Sequence, residues 1–135
     1  MISCKFVAAA ETIIRDGETN SISIINVLEN VNSPSYPILL PKLSVLWILK
    51  RTENDPEIFD AEIIFKIGEH ELNRFPLGIN FQGSIHTRNI AALNGYVITE
   101  PGILTIELKM VEVVLSTYSI DLLILNEPEI NVANA

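Results

Sequence analysis

Histidine is scarce in this 135-residue chain, with two copies. The neighbours of each one decide what it can do. Ser84-Ile85-His86 spaces a hydroxyl and an imidazole two residues apart, on one side of a strand. A nucleophile–base pair also needs an orienting acid and an oxyanion hole from other parts of the fold. The strained Gly-x-Ser-x-Gly turn that exposes a serine nucleophile is missing, so His86 reads as a surface or rim residue. His70 sits in Gly68-Glu69-His70-Glu71, where a histidine and two carboxylates fall short of the roughly three or four well-placed ligands zinc takes. A charged hairpin tip explains that run. Cys4 is the single cysteine, so neither an internal disulfide nor a thiolate cluster can form.

Carboxylates are the remaining chemical groups. Asp16-Gly17-Glu18 and Glu53-Asn54-Asp55-Pro56-Glu57 could present oxygens from loops, and calcium takes roughly six to eight converging oxygens. Neither run has a dense Asp-x-Asp pattern, and both have the composition of ordinary turns. Paired acids for glycoside hydrolysis are defined by a separation in space, which the sequence does not display. Gly78 and Gly83 are too far apart for a phosphate-cradling loop and lack a Lys-Ser/Thr sequel. Trp47, Phe81, Tyr36, Tyr96 and Tyr118 would stack on a sugar or base only if they shared a surface, and Trp47 lies in an apolar strand suited to a core. No catalytic, cofactor-binding or metal-binding residue is assigned, and the chain is not expected to be an enzyme.

The elements that carry these residues follow a period of two. Phe59, Ala61, Ile63, Phe65 and Ile67 alternate with Asp60, Glu62, Ile64 and Lys66, the mark of a half-buried antiparallel strand. Residues 5–14 and 21–28 flank Asp16-Gly17, a hairpin signal, and Ile22 and Ile24 share a face. Pro34, Pro37 and Pro41 mark residues 30–41 as a loop crossing between sheets. Beyond it, Val45, Trp47 and Leu49 point one way, and Leu46 and Ile48 the other. Residues 68–87 are broken by Gly68, Pro76, Gly78 and Gly83 into short pieces. Residues 89–98 form a strand, Glu100-Pro101-Gly102 a turn, and residues 104–110 a strand whose phase breaks at Val111-Glu112. Residues 118–125 are the last strand. These readings predict an all-β, antiparallel two-sheet β-sandwich of about seven to nine strands, one domain over residues 1–126 and a frayed tail at 127–135.

The order of these pieces resembles an uncharacterised family of small bacterial, in part phage-associated, proteins known only as a domain of unknown function. Three stretches carry the likeness: Asp16-Gly17 with Ser21-Ile22-Ser23-Ile24-Ile25-Asn26-Val27; Ser33-Pro34-Ser35-Tyr36-Pro37 leading through Pro41 to Trp47; and residues 89–95 running on to Glu100-Pro101-Gly102-Ile103-Leu104-Thr105-Ile106-Glu107-Leu108. Such proteins often carry glycine where this chain has Asn26. The resemblance implies an immunoglobulin-like or similar sandwich and brings no activity, cofactor or site residue.

Charge and composition set the expected partners. A formal charge of −8 repels phosphate backbones and anionic headgroups, which argues against nucleic acid and membrane surfaces. The N-terminal apolar run, interrupted by Glu11 and Arg15, is too short to span a bilayer or to serve as a signal peptide, so a cytoplasmic setting is expected. Apolar residues make up 48% of the chain and charged ones 19%. The strands at 43–49 and 122–125 are apolar on both faces, so their outward faces need a cover. A non-catalytic protein-interaction module that self-associates, most simply as a symmetric dimer, is the leading reading. A lectin-like or calcium-binding sandwich is the second, and a hydrolase with its site at 68–88 the third. No cofactor or small-molecule ligand is indicated.

Overall fold

β-branched and aromatic residues at every second position commit this chain to strands. The computed structural model describes residues 1–125. The predicted tail at 127–135 lies outside the described residues. Nine strands appear: β1 (Ser3–Arg15), β2 (Ile22–Val27), β3 (Asn30–Ser33), β4 (Ile38–Lys50), β5 (Ile58–Ile67), β6 (His70–Asn80), β7 (His86–Ile98), β8 (Gly102–Met110) and β9 (Val113–Ile124). There is no helix among the described residues, hence none long and apolar enough to cross a membrane. The first sheet has the order β2-β1-β4-β7 and the second β3-β9-β8-β5-β6. Together they make the predicted β-sandwich. Every neighbouring pair is antiparallel except β3 and β9, which run parallel.

Between the sheets lies a core built by alternation. Val45, Trp47 and Leu49 of β4 meet Ile63, Phe65 and Ile67 of β5 and Leu104, Ile106 and Leu108 of β8. Burying each large side chain of this kind contributes about 1.5–3 kcal/mol, so this layer dominates the folding energy. Three tyrosines pin its margins. Tyr118 donates from its hydroxyl to the Leu28 carbonyl at 2.7 Å, Tyr36 to the Leu123 carbonyl at 3.0 Å, and Tyr96 to Asn73 Oδ1 at 2.6 Å. Burial pushes the Tyr96 hydroxyl up to about 12.

Three sequence expectations change. Residues 30–41 do cross between sheets, but Asn30–Ser33 forms β3 and β4 begins at Ile38, leaving a loop of residues 34–37 with a cis bond at Tyr36-Pro37. Pro41 sits inside β4, beyond Ser44, where the pairing with β1 ends, so its missing N–H breaks no ladder to that strand. Residues 70–80 are one continuous strand rather than short pieces. β6 is the edge of its sheet, where a proline such as Pro76 is tolerated. The last strand starts at Val113, five residues before the expected Tyr118, directly after the predicted break at Val111-Glu112.

The structure also shows a change of inward face that the sequence reading did not address. In β4, Leu43, Val45, Trp47 and Leu49 point to the core, yet so do Ile38 and Leu40, while Leu39 is exposed. In β7, Ala91 and Leu93 point inward, and then Tyr96 and Ile98 do. Both strands change phase together, at Pro41 and Gly95, without losing their mutual register. Gly95 has φ +84, a conformation costly for any side chain, and it lets the paired strands turn over as a unit.

Asn26 stands at φ +58, in the left-handed region that glycine and asparagine share. Near it the β1–β2 hairpin leaves the plane of its sheet. Phe6, Ile48 and Arg88 lie side by side across β1, β4 and β7. A flat hairpin would carry its tip about 30 Å away from that row. Instead the Arg88 guanidinium donates to the carbonyl of Asn20 at the tip. The hairpin therefore folds back across the outer face of the first sheet. Ala8, Ala10 and Leu46, on that outer face, are buried beneath this roof. On the outer face of the second sheet, Ile64 is 1% exposed amid a lattice of ion pairs, Arg74–Glu62 at 2.8 Å and Lys66–Glu107 at 3.3 Å.

Candidate functional site

The two histidines are far apart in role and place. His70 directly follows the two-residue turn Gly68-Glu69, paired with Ile67 across the hairpin, and is exposed. Its neighbour Glu71 is engaged by Arg74, which donates from Nη2 at 2.8 Å and from Nε at 3.2 Å. The Arg74 hydrogen bonds hold the Glu71 carboxyl below its ordinary range. His86 opens β7, and its backbone N–H donates to Ser84 Oγ at 3.3 Å. Both line a wide concavity of about 700 Å³. No aspartate or glutamate is among the described residues lining it, so the Ser84–His86 pair has no acid to orient it there.

The loop acids bind their own turns. Asp16 Oδ1 accepts from the backbone N–H groups of Thr19 and Glu18, at 3.0 and 2.8 Å, which lowers its pKa. Asp55 Oδ2 accepts from the backbone N–H and the hydroxyl of Thr52, each at 2.8 Å, and lies 3.0 Å from the Met1 amine. These contacts bring its pKa down to about 2. Glu57 accepts from the Gly83 N–H. No three His, Cys, Asp or Glu side chains cluster for a metal among the described residues. Cys4 is half-buried, its Sγ donates to the Phe6 carbonyl at 3.2 Å, and burial pushes its pKa up. Trp47, Phe81 and Tyr96 are buried, so the aromatic residues do not assemble a stacking surface.

A different feature gathers what the sequence scattered. A sheet edge offers unpaired N–H and C=O groups, and natural edges are usually blunted. Among the described residues, three of the four edges are. β2 is six residues long and bent at Asn26, β3 has four residues, and β6 carries Pro76 and the ion-paired Arg74. β7 runs for thirteen residues without a proline, and from Asn89 to Ile98 it bears no charge.

Two depressions flank this open edge. Along its second half, Ala91 and Leu93 of β7 face Phe75, Pro76 and Leu77 of β6 across an apolar groove of about 210 Å³, with Phe65 also lining it. Along its first half lies the polar concavity, whose walls include Arg15 from β1, Asn80 at the end of β6, Gln82 just after it, and Arg88 and Asn89 from β7. Neither arginine has a carboxylate partner among the described residues. The Asn89 amide nitrogen is buried and has no hydrogen-bond acceptor.

One apolar end is also without a cover among the described residues. Leu123, Ile124 and Leu125 are 48%, 57% and 51% exposed, and Ile103 is 56% exposed. Ile103 pairs with Asp121, two residues from Leu123, which makes the two leucine and isoleucine side chains diagonal neighbours on the outer face.

Among the described residues, fold and surface together define a β-sandwich with one open edge and one uncovered apolar end. No protein-family model matches the chain, and no curated protein matches it either.

Proposed function

We propose that this chain is a non-catalytic protein-interaction module, working in the cytoplasm as an accessory protein, and that one of its partners is a second copy of itself. The bare apolar end carries this reading. Ile103 and Leu123, diagonal neighbours on one face, and Leu125 just beyond the strand are each about half exposed, and contiguous apolar surface on a folded domain usually marks association. A second copy is the favoured occupant because an apolar patch is complementary to itself across a two-fold axis. It also needs no opposite charge on a chain that carries −8. A few half-exposed side chains make a small contact beside the roughly 800 Å² per partner of a standard interface, so a weak and reversible dimer is expected.

Sedimentation equilibrium at micromolar concentration tests this. The expected result is a mass rising with concentration above the 15.0 kDa of one chain, reduced to one chain by Leu123→Glu and Ile103→Glu with the fold retained by circular dichroism. A wild-type chain that stays at the monomer mass up to about 1 mM, a concentration at which only contacts weaker than about −4 kcal/mol escape detection, overturns it.

A further inference from the structure

We infer that the free edge of β7 is a receptor for an extended, acid-bearing peptide segment of another protein, which adds to the first sheet as a fifth strand. This site is separate from the bare apolar end, and three independent features meet along it. The edge itself supplies main-chain donors and acceptors that no strand among the described residues uses. Strand addition takes its affinity from such groups and its specificity from pockets for alternate side chains. The groove between β6 and β7, about 210 Å³ and lined by Phe75, Leu77, Ala91 and Leu93, takes one large apolar side chain of the incoming segment.

The third feature selects the charge. A chain with seventeen acids and nine bases lines its polar concavity at the other half of the same edge with Arg15 and Arg88 and no acid among the described residues. Guanidinium groups are suited to bidentate capture of carboxylates. Within a Debye length of about 10 Å at 0.1 M salt the two arginines dominate the lining, and the carboxylate at its rim, Glu57 on the Gly83 N–H, is itself faced by Arg51 at 3.9 Å. Arg88 is three to five residues from Ala91 and Leu93, or about 10–16 Å along the strand. Arg88 lies on the opposite face from Ala91 and Leu93, so the favoured ligand carries its acid three or five residues from its apolar anchor. Arg88 keeps one N–H on the Asn20 carbonyl, which holds the guanidinium beside the edge. The adjacent apolar groove and the open backbone edge favour a peptide over a nucleic-acid phosphate, which would use neither.

The test uses the full chain, ¹⁵N-labelled, and a fluorescein-tagged synthetic peptide of about ten residues, alternating threonine and valine, with one leucine and glutamates about three and five residues beyond it. Anisotropy should report binding, and amide shifts should concentrate at residues 86–93. Three changes should each weaken it by about ten-fold or more, a difference of 1.4 kcal/mol: lysines in place of the peptide's glutamates, backbone N-methylation of the peptide, and Arg15→Glu or Gln82→Glu in the protein. Gln82 is exposed, so that variant places a carboxylate in the concavity without touching the roof. Equal binding of acidic and basic peptides, undiminished binding of the N-methylated peptide, or no binding at about 1 mM overturns the inference. So does binding of an oligothymidylate in the peptide's place, or a shift of β7 amides on dilution of the protein alone, which would assign the edge to a second copy. None of these outcomes bears on the sedimentation test of the Leu123 end.

Discussion

Leu46 in β4 and Leu123 in β9 occupy equivalent positions in the sequence pattern, each on the outward face of a strand that is apolar on both sides. Their surroundings are opposite. Leu46 is 1% exposed, whereas Leu123 is 48% exposed. The β1–β2 hairpin folds over the first and no described element folds over the second. A doubly apolar strand thus signals only that a cover is needed. Whether the chain supplies that cover is a question of topology, since a roof has to be delivered by an element that starts nearby and is long enough to bend back. β1, at thirteen residues, is such an element. β3, which flanks β9, has four.

Substitutions can break this comparison. The largest effect is expected at Leu46: truncation to alanine should cost about 2–4 kcal/mol by urea denaturation, and Leu46→Glu should cost more, by burying an unpaired carboxylate. A loss below about 1 kcal/mol for Leu46→Ala would mean the roof is not closed. Next comes the tie that holds the roof. Arg88→Ala removes the donor to Asn20, and a loss of about 1 kcal/mol is expected, with faster amide exchange across residues 11–25 than elsewhere in the first sheet.

A control remote from both leucines is Asp55. Its pKa is lowered from 3.8 to about 2, so the unfolded chain binds a proton there first as pH falls. Its contribution is complete above pH 4, declines as pH drops toward 2, and is lost below that. Asp55→Asn should flatten this part of the acid-unfolding profile and leave the Leu46 and Leu123 results unchanged. Smaller still is the gain at Val111, a β-branched residue at φ +53 and 80% exposed in the β8–β9 turn. Val111→Gly relieves a left-handed strain of about 1–2 kcal/mol, offset in part by glycine's entropy, and a net rise of about 0.5–1 kcal/mol should appear in thermal unfolding. The smallest stability change belongs to Leu123→Glu, within about 0.5 kcal/mol, even though the same variant removes self-association. A large loss there would place Leu123 in a packed layer and erase its contrast with Leu46.

Much of the strand content was legible because alternation is written residue by residue. Ile58–Ile67 is the plainest case, and the turns at Asp16-Gly17, Gly68-Glu69 and Val111-Glu112 followed from their own side chains. Pro76 and Gly78 misled because the same two residues break a central strand and are harmless in an edge. Which of these β6 is depends on its neighbours and not on its composition. The β7 edge was visible only as an uncharged stretch from Asn89 to Ile98. Its two flanking depressions were not visible, since they join Arg15, Asn80 and Arg88 from three separate elements.

The sequence by itself determined that this chain forms strands, where most of them turn, and that it holds more apolar surface than one layer of core consumes. Those properties depend on side chains within a few residues of one another. Only the tertiary structure decided that a hairpin bends over Leu46, that Pro41 and Gly95 turn two strands over together, and that, among the described residues, one edge of four stays open. These outcomes arise from contacts between residues tens of positions apart, and chain closure over such distances is set by the whole fold.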